Sequence, residues 1–263
     1  MTRRPWSGPA EAFAMLSIAR MPAASSARGV LPWAPLVGLP LGAAAAAVGW
    51  LGAHYGSPMI GAVLAVVVLA ALTRGLHLDG LADTADGLGP LRGRERALQV
   101  MRAGDVGPFG VVALVLTLLL QVASSAELLT VDDGWIALPA AAVAARVAMA
   151  RTGLPGTPIA AGSTLGAAVA GTVSRRWLVG TAVVVLALAV LAVVVLTPAV
   201  PTTGAAAGHA VAPTVAVLLG WLAAEALYRR ARTRLGGVNG DVMGAMGEVS
   251  ATVTLLAAAV LAG

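Results

Sequence analysis

Three aspartates lie close together in a chain that otherwise carries few charges: Asp79, Asp83 and Asp86 fall within eight positions. Spacings of four and three residues predict that these carboxylates lie within about 60° of one another on a helix. Unpaired ionised carboxylates in apolar surroundings are costly, so we expect a cation to neutralise them. Mg²⁺ prefers oxygen ligands and usually binds one or two carboxylates together with substrate phosphates. The spacing therefore predicts a Mg²⁺ site that serves a phosphate-bearing substrate.

A second polar segment, residues 229–248, contains two further acids. Asp241 and Glu248 are seven residues apart and therefore share one face of a helix. Acids beside a membrane span usually serve a function, so we expect these two to act together with the aspartates of residues 79–86. Each segment also has a plainer alternative. The first could be a solvated loop paired with the arginines of residues 92–96, and the second a flexible glycine-rich loop.

His77 is a candidate general base, but its position restricts that role. It lies two residues before Asp79, about 160° around a helix from it. It can reach the aspartates only if Gly80 or the start of the helix redirects the chain. The alternative is that His77 packs behind the aspartates and supports them.

The residues that follow the aspartates offer candidates for contacts with an anion. Arg102 is expected either to bind a phosphate oxygen or to set the membrane topology, and Asp105 to be a further metal ligand or a helix cap. Gly107 precedes Pro108, a residue that suits the first turn of a helix. Backbone N–H groups at this predicted helix start could hold an anionic group of the substrate.

Composition indicates a membrane protein. Of 263 residues, 59% are hydrophobic and only 11% are charged, whereas about a quarter of a soluble domain is charged. The apolar residues form long runs, so we predict an all-α, polytopic helical membrane protein with one embedded domain, residues 1–263. The absence of cysteine excludes disulfides and thiolate chemistry. Scattered arginines and few aromatic residues argue against nucleic-acid binding.

Seven transmembrane helices are predicted from apolar runs of about 20 residues. All seventeen basic residues are arginines, and all fall on one side of this layout. The positive-inside rule then places the N-terminus in the cytoplasm of a bacterium, together with the acidic segments 75–108 and 229–248. Residues 152–176 are expected to be re-entrant or interfacial. The predicted spans are residues 36–53, 58–74, 109–129, 134–151, 177–198, 209–228 and 246–262.

Three motifs together resemble the cobalamin synthase family, the adenosylcobinamide-GDP ribazoletransferases. They read HLDGLADTADG at residues 77–87, VGPFG at residues 106–110 and LGGVNGDVMGA at residues 235–245, with a weaker match of PLVG at residues 35–38. The chain departs from the family pattern at residues 102–105, which read RAGD where many members have a KDSR-type run. It departs again at Asn239, where threonine is common in the family.

The resemblance implies a reaction and a cofactor. The adenosylcobinamide phosphate moiety of adenosylcobinamide-GDP would be transferred to α-ribazole or its 5′-phosphate, and GMP would be released in the last step of nucleotide-loop assembly. The family requires Mg²⁺, which would be bound by Asp79, Asp83 and Asp86. Asp241 and Glu248 would complete the metal site or orient the attacking hydroxyl.

The remaining roles follow from the same resemblance. Arg102 or Arg146 would steady the GMP leaving group, and His77 or one of the aspartates would accept the proton. Further candidates for substrate binding are Asp105, Gly107, Asn239 and Asp241. The lipid bilayer is the other expected partner, and the sequence leaves open homo-oligomers or association with other corrinoid-assembly enzymes.

Other membrane proteins also use clustered carboxylates. A CDP-alcohol phosphotransferase would have an Asp-Gly-x₂-Ala-Arg run, but Asp83 follows Ala82 here. A prenyltransferase would have two clusters rich in Asp or Asn, but the second segment has only Asp241 and Glu248. A secondary transporter would hold its acids near the bilayer midplane, whereas we expect them at the cytoplasmic side.

Overall fold

The computed structural model describes residues 7–21, 26–196 and 205–262, and this part of the chain is all-helical, as predicted. Two short 3₁₀ helices, Gly134–Ile136 and Arg151–Gly153, flank the seventh α-helix. The α-helices are α1 (Ser7–Leu16), α2 (Val30–Tyr55), α3 (Pro58–Leu72), α4 (Leu76–Leu88), α5 (Arg94–Met101), α6 (Pro108–Leu128), α7 (Ala137–Ala150), α8 (Thr164–Val169), α9 (Arg175–Leu196), α10 (Ala205–Leu235) and α11 (Gly240–Ala262).

Four helices in the described ranges are long and apolar enough to cross a membrane: α2, α6, α11 and the part of α9 between Arg175 and Ala192. α3 and α4 form a fifth candidate if they count as one span, although they are bent by 89°. The predicted total of seven is therefore matched only in part. α7 has 14 residues, fewer than the ~20 that a span needs, and α10 continues beyond the expected end of its span to Leu235.

The bend between α3 and α4 sets the direction of the helix that carries the aspartates. α3 ends at Leu72, and both Arg74 and Gly75 then have positive φ angles, 58° and 66°. Glycine adopts this left-handed conformation without steric cost, so Gly75 lets α4 start in a new direction. The acids at residues 79–86 and those of the second segment lie in regular helices, α4 and α11, and only residues 236–239 of the second segment form a loop.

α11 lies at the centre of the bundle and contacts α4, α6, α7 and α10. Small buried residues such as Ala144, Ala145 and Ala245 allow these helices to pack closely. Large apolar side chains on the outer faces of α6 and α9, among them Leu119 and Val183, are exposed. A helix that faces lipid is expected to have such an apolar outer surface.

Residues 152–176, expected to be re-entrant or interfacial, fold back over the start of α11. Ile159 forms an isolated parallel β-bridge with Val238. The Ala160 N–H donates to the Val238 carbonyl and the Val238 N–H to the Pro158 carbonyl, both at 3.0 Å. This pairing places the chain before α8 beside the second polar segment.

Candidate active site

α4 and α11 cross with their backbones almost in contact. A Cβ atom on Gly80 would lie 2.8 Å from the carbonyl oxygen of Asp241 and 2.9 Å from its Cα. One turn away, a Cβ atom on Gly244 would lie 3.2 Å from the Cα of His77. Glycine at both positions lets the helices approach each other, because any side chain would keep them apart. The crossing thus brings Asp241 beside the helix that carries the aspartates.

Asp79, Asp83 and Asp241 form what we call the acidic cluster. The half-buried carboxyl group of Asp83 feels the negative charge of Asp241 and Asp79, and more weakly that of Asp86 and Asp105. Asp241 also feels the charge of Asp79. Like charges this close repel, so the cluster favours the binding of a cation. The juxtaposition of Asp79 and Asp83 with Asp241, expected from the sequence, is present in the structure.

The donor set of the acidic cluster suits Mg²⁺ when a substrate supplies the remaining ligands. Within the described ranges, no three His, Asp or Glu side chains are arranged to hold a metal ion by themselves. Mg²⁺ usually takes one or two carboxylates, keeps several waters and binds substrate phosphates. Asp79, Asp83 and Asp241 are the residues that could supply those carboxylates.

Asp86 has a different environment from its two neighbours on α4. It is buried, and its carboxylate accepts a hydrogen bond of 2.7 Å from the N–H of Gly107, the residue that precedes α6. A Cβ atom on Gly107 or Gly110 would collide with this carboxylate. Asp86 therefore caps the positive end of α6. The N–H of Gly107, where we expected a substrate anion, thus already donates to a carboxylate of the protein.

Asn239 fixes the conformation of Asp241. Its side-chain Nδ2 donates to Oδ2 of Asp241 at 2.7 Å, and its Oδ1 accepts the N–H of Val242 at 2.9 Å. The second bond satisfies a free N–H in the first turn of α11, as asparagine commonly does at a helix start. Asn239 thus links the start of the helix to an acid of the cluster.

A cavity of about 330 Å³ opens beside Asp241. Its polar lining includes Arg102, Asn239, Asp241 and Ser163, and apolar side chains from α1, α2, α4, α5, α7, α8 and α11 also contribute to its wall. Sequence analysis missed the wall made by residues 160–165. That segment carries no acid or histidine, and its only signal was its glycine- and threonine-rich composition between predicted spans.

Arg102 and Asp105 lie at the exposed edge of the site. The guanidinium group of Arg102 donates to the carbonyl of Ala161, which ties α5 to the 160–165 wall, and its side chain lines the cavity. Its remaining N–H donors could bind a phosphate oxygen. Asp105 is exposed and adds its negative charge to the surroundings of Asp83.

His77 lies behind the acidic cluster. α4 already includes Leu76, so His77 is on the opposite side of the helix from Asp79, as the helical spacing indicates. It is 2% exposed, and neither ring nitrogen has a hydrogen-bond partner in the described part of the chain. His77 lines both the 330 Å³ cavity and a smaller one of about 50 Å³. This position favours a supporting role over that of a general base.

Glu248 and Arg146 belong to the smaller cavity, together with Gln121. The Gln121 side chain donates to Glu248 at 2.9 Å and to Thr252 at 3.0 Å, and buried Arg146 attracts Glu248 electrostatically. Glu248 shares a face with Asp241 but lies two turns further along α11, about 10 Å away. Its carboxylate faces the smaller cavity, whereas Asp241 lines the larger one. The structure thus places Glu248 among Gln121 and Arg146, and its role as a metal ligand stays a prediction.

Comparison with known proteins adds independent evidence. The family model described as cobalamin-5-phosphate synthase matches residues 9–259. The chain is 37% identical over 232 residues to an adenosylcobinamide-GDP ribazoletransferase of Frankia casuarinae, covering 85% of this chain and 82% of that protein. A protein of the same name from Bradyrhizobium diazoefficiens is 36% identical over 243 residues, covering 90% and 86%.

A third protein with that name, from a Nocardioides species, is 37% identical over 233 residues and covers 88% of this chain and 87% of its own length. The matched region extends from α1 into α11 and contains every residue of the acidic cluster. No solved structure matches the chain.

Proposed function

Because the chain belongs to the cobalamin-5-phosphate synthase family, we propose that it is an adenosylcobinamide-GDP ribazoletransferase. It transfers the adenosylcobinamide phosphate moiety from adenosylcobinamide-GDP to α-ribazole or α-ribazole 5′-phosphate. The observation that carries the proposal is the pairing of Asp79 and Asp83 with Asp241 across the α4–α11 crossing, beside a cavity. The names of the relatives support this activity over the CDP-alcohol, prenyl and transporter alternatives.

In the reaction, a ribose hydroxyl oxygen that is free in both acceptors forms a bond to the phosphorus next to cobinamide, and the bond between that phosphorus and the oxygen of GMP breaks. The hydroxyl proton needs an acceptor, and GMP leaves with the electron pair of the broken bond. Transfer of this kind depends mainly on positioning and charge neutralisation. The site therefore needs fixed carboxylates and cationic groups more than a covalent nucleophile.

The acidic cluster fits the role of a Mg²⁺ site. When bound, Mg²⁺ would neutralise the phosphate oxygens and align the diphosphate. Two of the three carboxylates, Asp79, Asp83 and Asp241, would hold it, and the third would accept the proton. The hydrogen bond from Asn239 holds the Asp241 carboxylate in position. Arg102, at the exposed edge of the site, would contact a phosphate oxygen of the substrate.

The membrane arrangement is part of the proposal. We place the N-terminus and the acidic cluster at the cytoplasmic face of a bacterial cytoplasmic membrane, in a seven-span topology. Arg230 donates to the Leu88 carbonyl at 3.3 Å and Arg234 to the Pro90 carbonyl at 3.2 Å, so the arginine-rich end of α10 lies beside the end of α4. Such a concentration of arginine near the site supports the cytoplasmic assignment.

Purified full-length protein, adenosylcobinamide-GDP and α-ribazole provide the test, with either Mg²⁺ or EDTA present. We expect equal amounts of GMP and completed cobamide with Mg²⁺ and none with EDTA. Asp83→Asn should lower kcat at least a hundredfold, because it removes a charge that the diphosphate site needs. Asp132→Asn, the same change at an exposed residue near the start of α7, serves as the control. Wild-type turnover by the Asp83→Asn protein would refute the assignment.

A further inference from the structure

A groove opens on the side of the bundle between α7, α9 and α10, and none of the residues that line it belongs to the acidic cluster. We call it the lateral groove. Most of its lining is apolar and includes Val147, Leu178, Ala182, Leu218, Trp221 and Leu222. Arg151 and Glu225 line it too, and each comes after the apolar lining residues of its own helix, α7 or α10. The lateral groove thus has a long apolar part and one charged end, which suits an amphipathic ligand.

Glu225 holds two guanidinium groups at the charged end. Nε of Arg151 donates to its Oε2 at 3.1 Å, and Nε of Arg229 donates to its Oε1 at 3.0 Å. Within the described ranges, neither guanidinium makes another hydrogen bond, so the terminal nitrogens of both can still donate to an acceptor. The guanidinium carbon of Arg151 also lies 4.1 Å from the centre of the Tyr228 ring, which helps to fix its plane.

A third arginine adds to the positive charge of this end. Arg175 is exposed at the start of α9, one turn before Leu178 and Val179, so it lies on the side of α9 that lines the groove. Three arginines around the single carboxylate of Glu225 leave a net positive charge. Arginine binds phosphate esters through paired N–H donors, so this end suits a phosphate group.

The lateral groove is placed to take its ligand from the bilayer. The apolar stretch of α9 that is long enough to cross a membrane begins at Arg175. The charged end therefore lies at the level where a span meets the lipid headgroups, and the apolar part lies within the hydrocarbon. Val179 and Leu222 line the groove and are exposed, which shows that it is open sideways. A lipid can enter it without leaving the membrane.

We propose that the lateral groove binds an anionic phospholipid. The phosphate contacts the terminal nitrogens of Arg151 and Arg229, and one acyl chain lies along the groove against Ala182 and Trp221. Charge complementarity selects the lipid, because a zwitterionic headgroup would bring its own cation to an end that is already positive. This site is separate from the transfer reaction and does not depend on its substrates.

The phosphate contact is tested by native mass spectrometry of delipidated full-length protein in a neutral detergent. The lipids are phosphatidylglycerol and phosphatidylcholine with the same acyl chains. We expect phosphatidylglycerol to bind wild-type protein about tenfold more tightly, and Arg229→Gln to remove most of that preference. Arg92→Gln, the same change at an exposed residue between α4 and α5, should keep it. Equal affinity of wild-type protein for the two lipids would overturn the proposal, as would an unchanged preference in Arg229→Gln.

The acyl chain is tested at Ala182, a half-buried residue of the groove. Ala182→Phe would fill part of the groove and should weaken phosphatidylglycerol binding about tenfold. Ala187→Phe is the matched control, because Ala187 is exposed and lies about 140° further around α9. Unchanged binding in Ala182→Phe would overturn the seat of the chain. Inorganic phosphate should not raise the unfolding temperature, whereas phosphatidylglycerol should. Equal stabilisation by the two would show a phosphate site without a lipid.

Fluorescence locates the lipid without filling the groove. Phosphatidylglycerol with a brominated acyl chain should quench Trp221, and the difference between wild type and Trp221→Phe gives the share of this residue among the six tryptophans. Identical quenching of the two proteins would place the lipid elsewhere and overturn the proposal. A dimer that forms in lipid-free detergent and that Ala182→Phe disrupts would assign the groove to a second copy of the chain instead.

Discussion

The backbone of Asp241 occupies the space that a side chain on Gly80 would need, with the Asp241 carbonyl oxygen 2.8 Å from the position of a Gly80 Cβ. Gly80 lies between Asp79 and Asp83 on α4, so this single contact sets the separation of the carboxylates in the acidic cluster. The glycine in the Asp-Gly pair at residues 79–80 is therefore a requirement of helix packing. The carboxylates of Asp79, Asp83 and Asp241 are thus brought together by the crossing of two helices and not by a loop.

Gly80→Ala should separate α4 from α11 and impair both stability and turnover. Overpacking at a tight contact costs about 1–3 kcal/mol, and a shift of about 1 Å in reacting groups can lower a rate about a hundredfold. Thermal unfolding in detergent and kcat measure the two effects. Gly93→Ala is the control, because a Cβ there meets nothing within 4 Å. An active, stable Gly80→Ala protein would mean that the crossing tolerates a wider spacing.

Substitution of Asp86 should affect mainly stability, whereas substitution of Asp83 should affect mainly the Mg²⁺ requirement. Asp86→Asn keeps an acceptor for the Gly107 N–H but removes the charge that stabilises the start of α6, so we expect a loss of about 1 kcal/mol in stability. The Mg²⁺ concentration that gives half-maximal activity of the Asp86→Asn protein should stay within twofold of wild type. Asp83→Asn should raise that concentration at least tenfold. Mg²⁺ titrations of activity, combined with thermal unfolding, separate the two roles. A matching rise for Asp86→Asn would place Asp86 among the Mg²⁺ ligands.

Asn239 offers a test that includes its own rescue. Asn239→Ala removes the hydrogen bonds to Asp241 and to the Val242 N–H. Loss of a helix cap costs about 1 kcal/mol, and a less constrained Asp241 should lower kcat roughly tenfold. Asn239→Thr should restore most of both, because one hydroxyl can accept from the Val242 N–H and donate to Asp241. If Asn239→Thr has the same kcat and unfolding temperature as Asn239→Ala, Asn239 does not position Asp241.

The sequence predicted much of the site because helical periodicity is local information. A spacing of four residues places Asp79 and Asp83 on one face of the helix, and a spacing of two places His77 on the other side from Asp79, as the structure has them. The presence of Asp241 near them was expected from charge alone, since the chain has few acids. Its contact with Gly80 could not be predicted without knowing which helices cross.

The differences arise where partners come from distant parts of the chain. Asp86 was grouped with its neighbours, but tertiary packing brings Gly107 to it and gives its carboxylate a structural task. Glu248 shares a helix face with Asp241, yet the rise along α11 carries it to another cavity. The 160–165 wall depends on the Ile159–Val238 bridge, a long-range pairing that no local pattern encodes.

Substitutions of Arg146 and Glu248 should have coupled effects on the free energy of unfolding. They should not change the Mg²⁺ concentration that activity requires. Arg146 is 5% exposed, its Nε has no partner among the described residues, and Glu248 is the acid that its charge attracts. The two charges attract each other without a direct ion pair, so removing either should cost less than the ~3–5 kcal/mol of a contacting buried pair. Arg146→Met and Glu248→Gln should each lower the unfolding temperature.

The double variant should lose much less unfolding free energy than the two single variants together, since neither charge then remains without its partner. The measurement is a double-mutant cycle of unfolding free energies, accompanied by a Mg²⁺ titration of the folded proteins. We expect Glu248→Gln to keep a wild-type Mg²⁺ requirement, because Glu248 lies in the smaller cavity with Gln121 and Arg146. A stable Glu248→Gln protein with a tenfold higher Mg²⁺ requirement would instead return Glu248 to the metal site.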